Sequence, residues 1–557
     1  MSCSYSAKYF NSELNSYIEY SCNEDSLESK FCIFHDKDYL KQRLPSNVHR
    51  VNERMKEIVQ KKLKNKEPIV FIGCNLVDLE FHDTCSVGMY FIGVTFYGKV
   101  SFDNSIFLKT IDFSNSKFER DGGIICFNFV KFKGKNVLFT GIKTWRTFSF
   151  QWAVFDVKST IDFSGGWYLN GADFSSAQFS ALEIKFYHIV FQYLYMMHTT
   201  FFNFKNLYFN SAKLVHSKKQ INFFKSKFLG KGSIYFSEGM FFGHISFLQA
   251  VFDGPILVDF SEMKCRNITN FSEARFSDEV RFINCDFRAP THFYFTIFEN
   301  PTKVFFYTHD LSTVSFLNTD ITKVLFGPNV IFGRKNKFLT FDERNLEKGL
   351  HNEGIQKRYG NINLGSLLAL YRNLRENFEY NLRYDEAGKF FIREMEVKRK
   401  FSEYRDDSHK FSEKLKISFI KNIHKYFSTD SKTIIVKDFW LKRNLFPIGL
   451  YRLTSKYGES LALPTLFISI LFGMIFVFWN VMIQSNYYST ICLEDAYKNG
   501  YNSWTILERS LYDIIPFFAL ENSKACFPDY IFKIFGTIFI GLIFVAARRR
   551  FERRFRH

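Results

Sequence analysis

The fold class that this sequence predicts is mainly β: a solenoid of short repeats, followed by an α-helical connector and two C-terminal membrane helices. Three observations predict it. Phe supplies 72 of the 557 residues while Pro supplies only 10, so one structural position keeps asking for the same ring. Those Phe residues recur at steps of five and six along the middle of the chain. Two stretches near the C-terminus are apolar over enough residues to cross a bilayer. A chain of this length exceeds what one ordinary core serves, unless a repeat spreads the core along an axis.

From the N-terminus, Met1 to Glu19 is polar and lacks the apolar run of a secretory signal, so this end is expected in the cytoplasm. Residues 1–45 hold Cys3, Cys22, Cys32 and His35 in a C-x18-C-x9-C-x2-H arrangement. Three thiolates and one imidazole suit tetrahedral zinc, and the Cys32-Ile33-Phe34-His35 knuckle offers two ligands from one turn. With four protein ligands the zinc would be structural, with no position open for a catalytic water. The competing reading is a set of unliganded thiols in a reducing compartment. Residues 46–69 read as a helical linker.

Residues 70–332 carry the repeat. Phe91, Phe96, Phe102, Phe107, Phe113 and Phe118 set the rhythm, and Phe271, Phe276, Phe282, Phe287, Phe293 and Phe298 repeat it. A small residue stands two before the second Phe of most pairs, as at Ser105, Ser116, Ala153, Ala177, Ala250, Ala274 and Cys285. Each short strand therefore has two inward slots. An eleven-residue helical repeat is the rival. Five residues turn a helix by about 140°, however, which scatters the rings, and the intervening Ser, Asn, Asp, Thr and Gly favour turns.

Ala172-Asp173-Phe174-Ser175-Ser176, followed by Ala177-Gln178-Phe179-Ser180-Ala181, resembles the pentapeptide-repeat family almost letter for letter. The resemblance implies a right-handed quadrilateral parallel β-helix with the Phe rings stacked inside. About 12 coils at about 4.8 Å each would make a rod near 60 Å long. The pattern is strong over Phe91 to Phe118, Phe150 to Phe179 and Phe236 to Phe298, and ragged between Tyr187 and Lys219, where loops or irregular coils are expected. Members of this family that mimic DNA and inhibit topoisomerases need an acidic rod. Here about 25 basic and about 22 acidic residues nearly cancel, which argues against that role and against a nucleic-acid partner.

Residues 333–400 form a linker and a helical hairpin broken near Asn381 to Asp385, with Tyr371, Leu374 and Phe378 on one face and Ala387, Phe390, Phe391 and Met395 on the other. This stretch resembles the connector of membrane-bound pentapeptide-repeat proteins, and Tyr384-x-x-Ala387-Gly388-x-x-Phe391 is similar to one tetratricopeptide hairpin. Simple helix packing and peptide binding are both open to it. Residues 401–460 are basic and amphipathic, suited to the inner leaflet.

Residues 461–483 run without a charge for about 34 Å as a helix, and residues 530–547 contain only Lys533 over about 27 Å. Lys442, Arg443, Arg452 and Lys456 precede the first span and Arg548, Arg549, Arg550, Arg553, Arg554 and Arg556 follow the second. The expected topology is a multi-pass cell-membrane protein with both termini cytoplasmic and residues 548–557 as a basic cytoplasmic tail. The extracytoplasmic loop 484–529 then holds Cys492 and Cys526, either disulfide-bonded or two free thiols. Within it, Ser503 to Phe518 suits a re-entrant helix, with Ile514, Ile515, Pro516 and Phe517 as pore-lining candidates. No glycine is present there to build a potassium-type filter. Archaeal and bacterial proteins that join pentapeptide repeats to two such helices are often described as channel-like, and this chain looks like one of them.

No phosphate-cradling loop, nucleophile elbow or HExxH motif occurs, so no enzyme activity is expected. The two functional readings are a membrane-anchored interaction scaffold or sensor with a cytoplasmic protein partner, and a homo-oligomeric channel-like protein for ion transport.

Overall fold

The computed structural model describes residues 2–11, 16–28, 30–40, 44–334, 336–347, 364–406, 456–457, 462–484, 503–515 and 527–554. They divide into two compact units, Met1–Ile362 and Asn363–His557.

The first unit is a parallel β-solenoid of about 11 turns. Each turn lays short strands on four faces in succession, beginning with Ile69–Ile72, Asn75–Leu76, Leu79–Glu80 and Thr84–Cys85. Stacked turns make four parallel sheets of 12, 10, 11 and 10 strands. In-register pairing puts like on like, as in Phe107↔Phe132, Phe132↔Phe155 and Phe155↔Phe179. Rings stack at 4.8 Å between Phe150 and Phe174 and 4.5 Å between Phe155 and Phe179, while Phe150 meets Phe163 of the adjoining column at 85°. Phe150 is thus stacked within its column and edge-on to Phe163, the two arrangements that an aromatic quadrupole favours. The second face is mixed: Leu76, Thr144, Tyr168, Leu214 and Cys265 take slots that Phe96, Phe118 and Phe191 fill elsewhere.

The small-residue slot has a polar reason as well as a steric one. Ser105 donates its hydroxyl to the Phe81 carbonyl of the preceding turn at 2.6 Å, Ser116 to Phe91 at 2.6 Å and Thr296 to Phe271 at 2.9 Å. Ala fits the same slot with nothing to satisfy; a larger side chain would intrude on the ring stack. The corner before it is left-handed even without glycine, with φ of 63° at Asn104 and 59° at Trp152. There the ladder continues, since the Asn104 N–H donates to the Asn128 carbonyl at 2.9 Å, which offsets the conformational cost.

Two expectations are corrected. Strand pairing is unbroken from Tyr187 to Leu214, because Ile189, Leu194, Met196, Leu207 and Leu214 fill inward slots as large apolar groups without being Phe, and the expected loop is confined to residues 215–219. The sole expansion there is between Leu214 and Gln220, where the register steps from Leu194 to Ile221. The count is about 11 turns rather than about 12.

Helix α1 (Pro45–Asn65) lies beside the first turn and buries Val51 and Met55. A short helix, α2 (Phe341–Glu347), packs on the strand Val314–Ser315 at the other end. In the second unit, α3 (Leu364–Tyr380) and α4 (Tyr384–Asp406) form the expected hairpin. Tyr371, Leu374, Phe378, Ala387 and Phe390 are buried, Phe391 and Met395 half-buried, and Arg375 bridges to Glu394 at 3.0 Å. Helices α5 (Ala462–Gln484), α6 (Ser503–Ile514) and α7 (Phe527–Arg554) pack on one another. Gly536 lets α6 approach, since a Cβ there would lie 2.5 Å from the Ile514 carbonyl oxygen.

Candidate metal centre

The wide gap between Cys3 and Cys22 has a structural origin. An antiparallel hairpin of β1 (Ser6–Asn11) and β2 (Ser16–Ser21) pairs Ser6 with Ser21, so the two cysteines flank its open end. The Cys22 N–H donates to the Tyr5 carbonyl at 3.0 Å and the Cys3 N–H to that of Glu24 at 2.8 Å. A tight turn then sets the other pair, with the N–H groups of His35 and Asp36 both donating to the Cys32 carbonyl at 3.0 Å.

All four donor atoms of Cys3, Cys22, Cys32 and His35 lie within 4.8 Å of one another and all four residues are buried. Cys22 Sγ and Cys32 Sγ are 3.7 Å apart, Cys32 Sγ and His35 Nδ1 3.2 Å, and Cys3 Sγ and His35 Nδ1 3.7 Å. A tetrahedron with metal–sulfur bonds of about 2.3 Å has edges of about 3.8 Å, so the donor set fits a zinc-sized cation. The opposite ring nitrogen, His35 Nε2, lies 2.9 Å from the Ile72 carbonyl oxygen. That geometry suits an Nε2–H donor and leaves the Nδ1 lone pair for the cation. The Cys32 N–H donates to Cys3 Sγ at 3.3 Å.

The cluster is welded to the first turn of the solenoid. Phe34, between the two knuckle ligands, meets Phe71 edge-on at 5.8 Å, and its carbonyl accepts the Asn75 N–H at 2.7 Å. Tyr5 stacks on the His35 ring at 3.9 Å and lies so near Gly73 (φ 62°) that a Cβ there would fall 2.0 Å from the Tyr5 hydroxyl. One neighbour escaped the sequence reading: Cys74 Sγ is 3.5 Å from His35 Nε2, on the first turn. Inside the repeat a cysteine reads as an ordinary inward slot, and no spacing links it to the knuckle.

No protein-family model and no solved structure matches the chain. An uncharacterized protein of Methanocaldococcus jannaschii, MJ1147, is similar to it. The two are 25% identical over 257 residues, 44% of this chain and 46% of that protein; the chain thus spans about half the length of the curated relative it matches.

Without a cation the Cys32 thiol opposes ionisation. The hydrogen bond with Cys22, reinforced by burial, pushes the Cys32 thiol up to about 12, while the same bond lowers Cys22. Burial raises Cys74 further. Three thiolates buried this close together would require a compensating positive charge.

Of the other sites read from the sequence, Cys492, Cys526, Pro516 and Phe517 lie outside the described residues. Ile514 is buried with Ile475, Trp479 and Ile506, and Ile515 packs against them. The expected re-entrant segment is helical over Ser503–Ile514. Trp479 of α5 donates its indole N–H to the buried Asp513 carboxylate of α6 at 2.8 Å.

Proposed function

We propose that the chain is a membrane-anchored scaffold: a solenoid closed at its N-terminal end by structural zinc, held at the cell membrane by α5 and α7 with both termini cytoplasmic, and offering its faces to a cytoplasmic protein. The observation that carries this reading is the uncovered apolar surface of the two helices. Ala462–Val481 and Pro528–Arg548 are long and apolar enough to cross a membrane. Leu466, Ile470, Met474 and Val477 on the first, and Ile534, Phe535, Ile538 and Phe544 on the second, are exposed. At about 25 cal/mol for each Å² of apolar surface, so many bare side chains are untenable in water and natural in lipid.

The membrane test is alkaline carbonate extraction of cell membranes, with impermeant labelling of tags at each terminus. The chain should stay in the pellet and both tags should be labelled only after permeabilisation; release into the supernatant would refute the anchor. Zinc is tested by metal analysis of the purified chain, with one ion per chain expected.

The second reading, a homo-oligomeric channel-like protein, is favoured by α6, which packs on both candidate spans and is pinned by the Trp479–Asp513 bond. Native mass in detergent separates the two, because a monomer that passes no current in planar bilayers is a scaffold.

A further inference from the structure

Ion pairs are unevenly spread over the solenoid. Lys99 pairs with Glu80 at 2.7 Å, Arg266 with Asp286 at 3.2 Å and Lys303 with Asp278 at 2.7 Å. Residues 183–231 carry eight lysines and one acid, Glu183, and among the described residues none of the eight makes an ion pair. Glu183 itself accepts a hydrogen bond from Asn206 at 2.9 Å.

Four of these lysines gather on the fourth face. Lys227 opens the strand Lys227–Leu229, Lys225 stands at the corner before it, and Lys205 and Lys231 stand at the corner after it on successive turns; all four are exposed. Apolar groups sit between them. Phe202 and Leu229 are register neighbours on the outer surface, both half-buried, and exposed Leu182 accepts the Lys205 N–H at 2.9 Å.

We propose that this face rests on the anionic phospholipid headgroups of the membrane that α5 and α7 enter. The inference builds on the membrane reading. Lysines around a shallow apolar centre match an interface where ammonium groups meet phosphates and side chains reach the acyl boundary. Each lysine contributes about 1 kcal/mol near an anionic leaflet, too little to recruit a free protein but enough for one whose own spans raise the local concentration. The Phe224 ring, 5.2 Å from Lys225 Nζ, adds a second half-buried aromatic group beside Phe202.

The test uses the full chain in nanodiscs of phosphatidylcholine alone and of equal parts phosphatidylcholine and phosphatidylglycerol, with lysine acylation rates read by mass spectrometry. In the anionic discs Lys205, Lys225, Lys227 and Lys231 should react at least several-fold more slowly, and about 0.5 M salt should restore the rate by shortening the screening length to a few Å. Lys213, on the second face, should be unchanged. Equal rates in both discs, slowing at Lys213 as well, or protection only after adding oligoglutamate or polyuridylate to the neutral discs would overturn the proposal. Failure of the chain to enter discs would refute the membrane reading itself, and this inference with it.

Discussion

At the first turn of the solenoid the Phe71 ring is met edge-on by Phe34 at 5.8 Å and 75°, and at the last turn Phe326 is met by Phe332 at 5.5 Å and 74°. The aromatic stack is closed the same way at both ends, yet the closing rings are held by different chemistry. Phe34 is carried on a knuckle whose neighbours are metal donors. Phe332 is held by backbone, its N–H donating to the Lys337 carbonyl at 2.8 Å. Beside it α2 is docked through Asp342, which accepts the Ser315 hydroxyl at 2.5 Å, and through Arg344 on the Ser312 carbonyl. An unending stack needs a stop at each end, and here one stop is built around a set of candidate metal donors while the other is built on hydrogen bonds to a buried carboxyl group.

The sharpest way to break this contrast is to remove the metal. Cys32→Ser, or chelation of the purified chain, should cost on the order of 10 kcal/mol of local stability, since binding and folding are one process at such sites. Amide exchange should rise steeply in β1, β2 and the strand Ile69–Ile72 and stay unchanged in Leu325–Phe326. Equal loosening at both ends, or none, would mean that the donor set does not hold the first turn.

A cavity between the ends comes next. Phe174 stacks on Phe150 at 4.8 Å and meets Phe163 at 5.2 Å, so Phe174→Ala should cost about 3–5 kcal/mol. Because a solenoid turn feels only its neighbours, zinc content should be untouched, which metal analysis and thermal unfolding of the same sample would show.

The C-terminal stop should respond to pH through two groups with opposite signs. His292 is buried against Tyr294, its ring nitrogens have no hydrogen-bond partner among the described residues, and burial pushes its pKa from 6.5 down to about 4. The unfolded chain takes up that proton first, so stability falls as pH drops from about 6.5 to about 4. Burial raises Asp342 from 3.8 to about 7. Here the unfolded chain loses the proton first, so stability falls as pH rises from about 4 to about 7. The two slopes, each at most about 1.4 kcal/mol per pH unit, oppose one another in the native protein. Asp342→Asn should leave a positive slope and His292→Gln a negative one, read from exchange in Val314–Ser315. Two flat profiles would place neither group in the docking of α2.

Much of this was legible in the sequence because the repeat is a statement about volume. Phe174 and Phe179 announce their slots by spacing alone, and the apolar runs in α5 and α7 announce theirs by length. The coils from Tyr187 to Leu214 hid their regularity because Leu194, Met196 and Leu214 fill a slot as well as Phe does, and packing constrains size more tightly than identity. The metal donors were legible as chemistry, but the hairpin that turns an eighteen-residue gap into adjacency was not, since β1 and β2 carry little apolar alternation. The buried pair His292 and Asp342 left no signal at all: each is one polar letter in a surface-like pattern, hidden only once α2 has folded back over the strand.

The smallest effect bears on where the N-terminal stop ends. Cys74 lies against His35 Nε2, the nitrogen aimed at the Ile72 carbonyl, so it belongs to the packing around the cluster rather than to its four donors. Cys74→Ser should therefore keep one zinc per chain and lower stability by about 1 kcal/mol, the cost of a smaller, more polar group in a closed slot. Cobalt substitution gives the decisive spectrum, because the intensity of the thiolate-to-metal charge-transfer band counts sulfur ligands. An unchanged band in Cys74→Ser against a weaker one in Cys22→Ser keeps the cation wholly within the knuckle and hairpin. A band that weakens in both would move a ligand onto the solenoid itself and make the first turn part of the metal site.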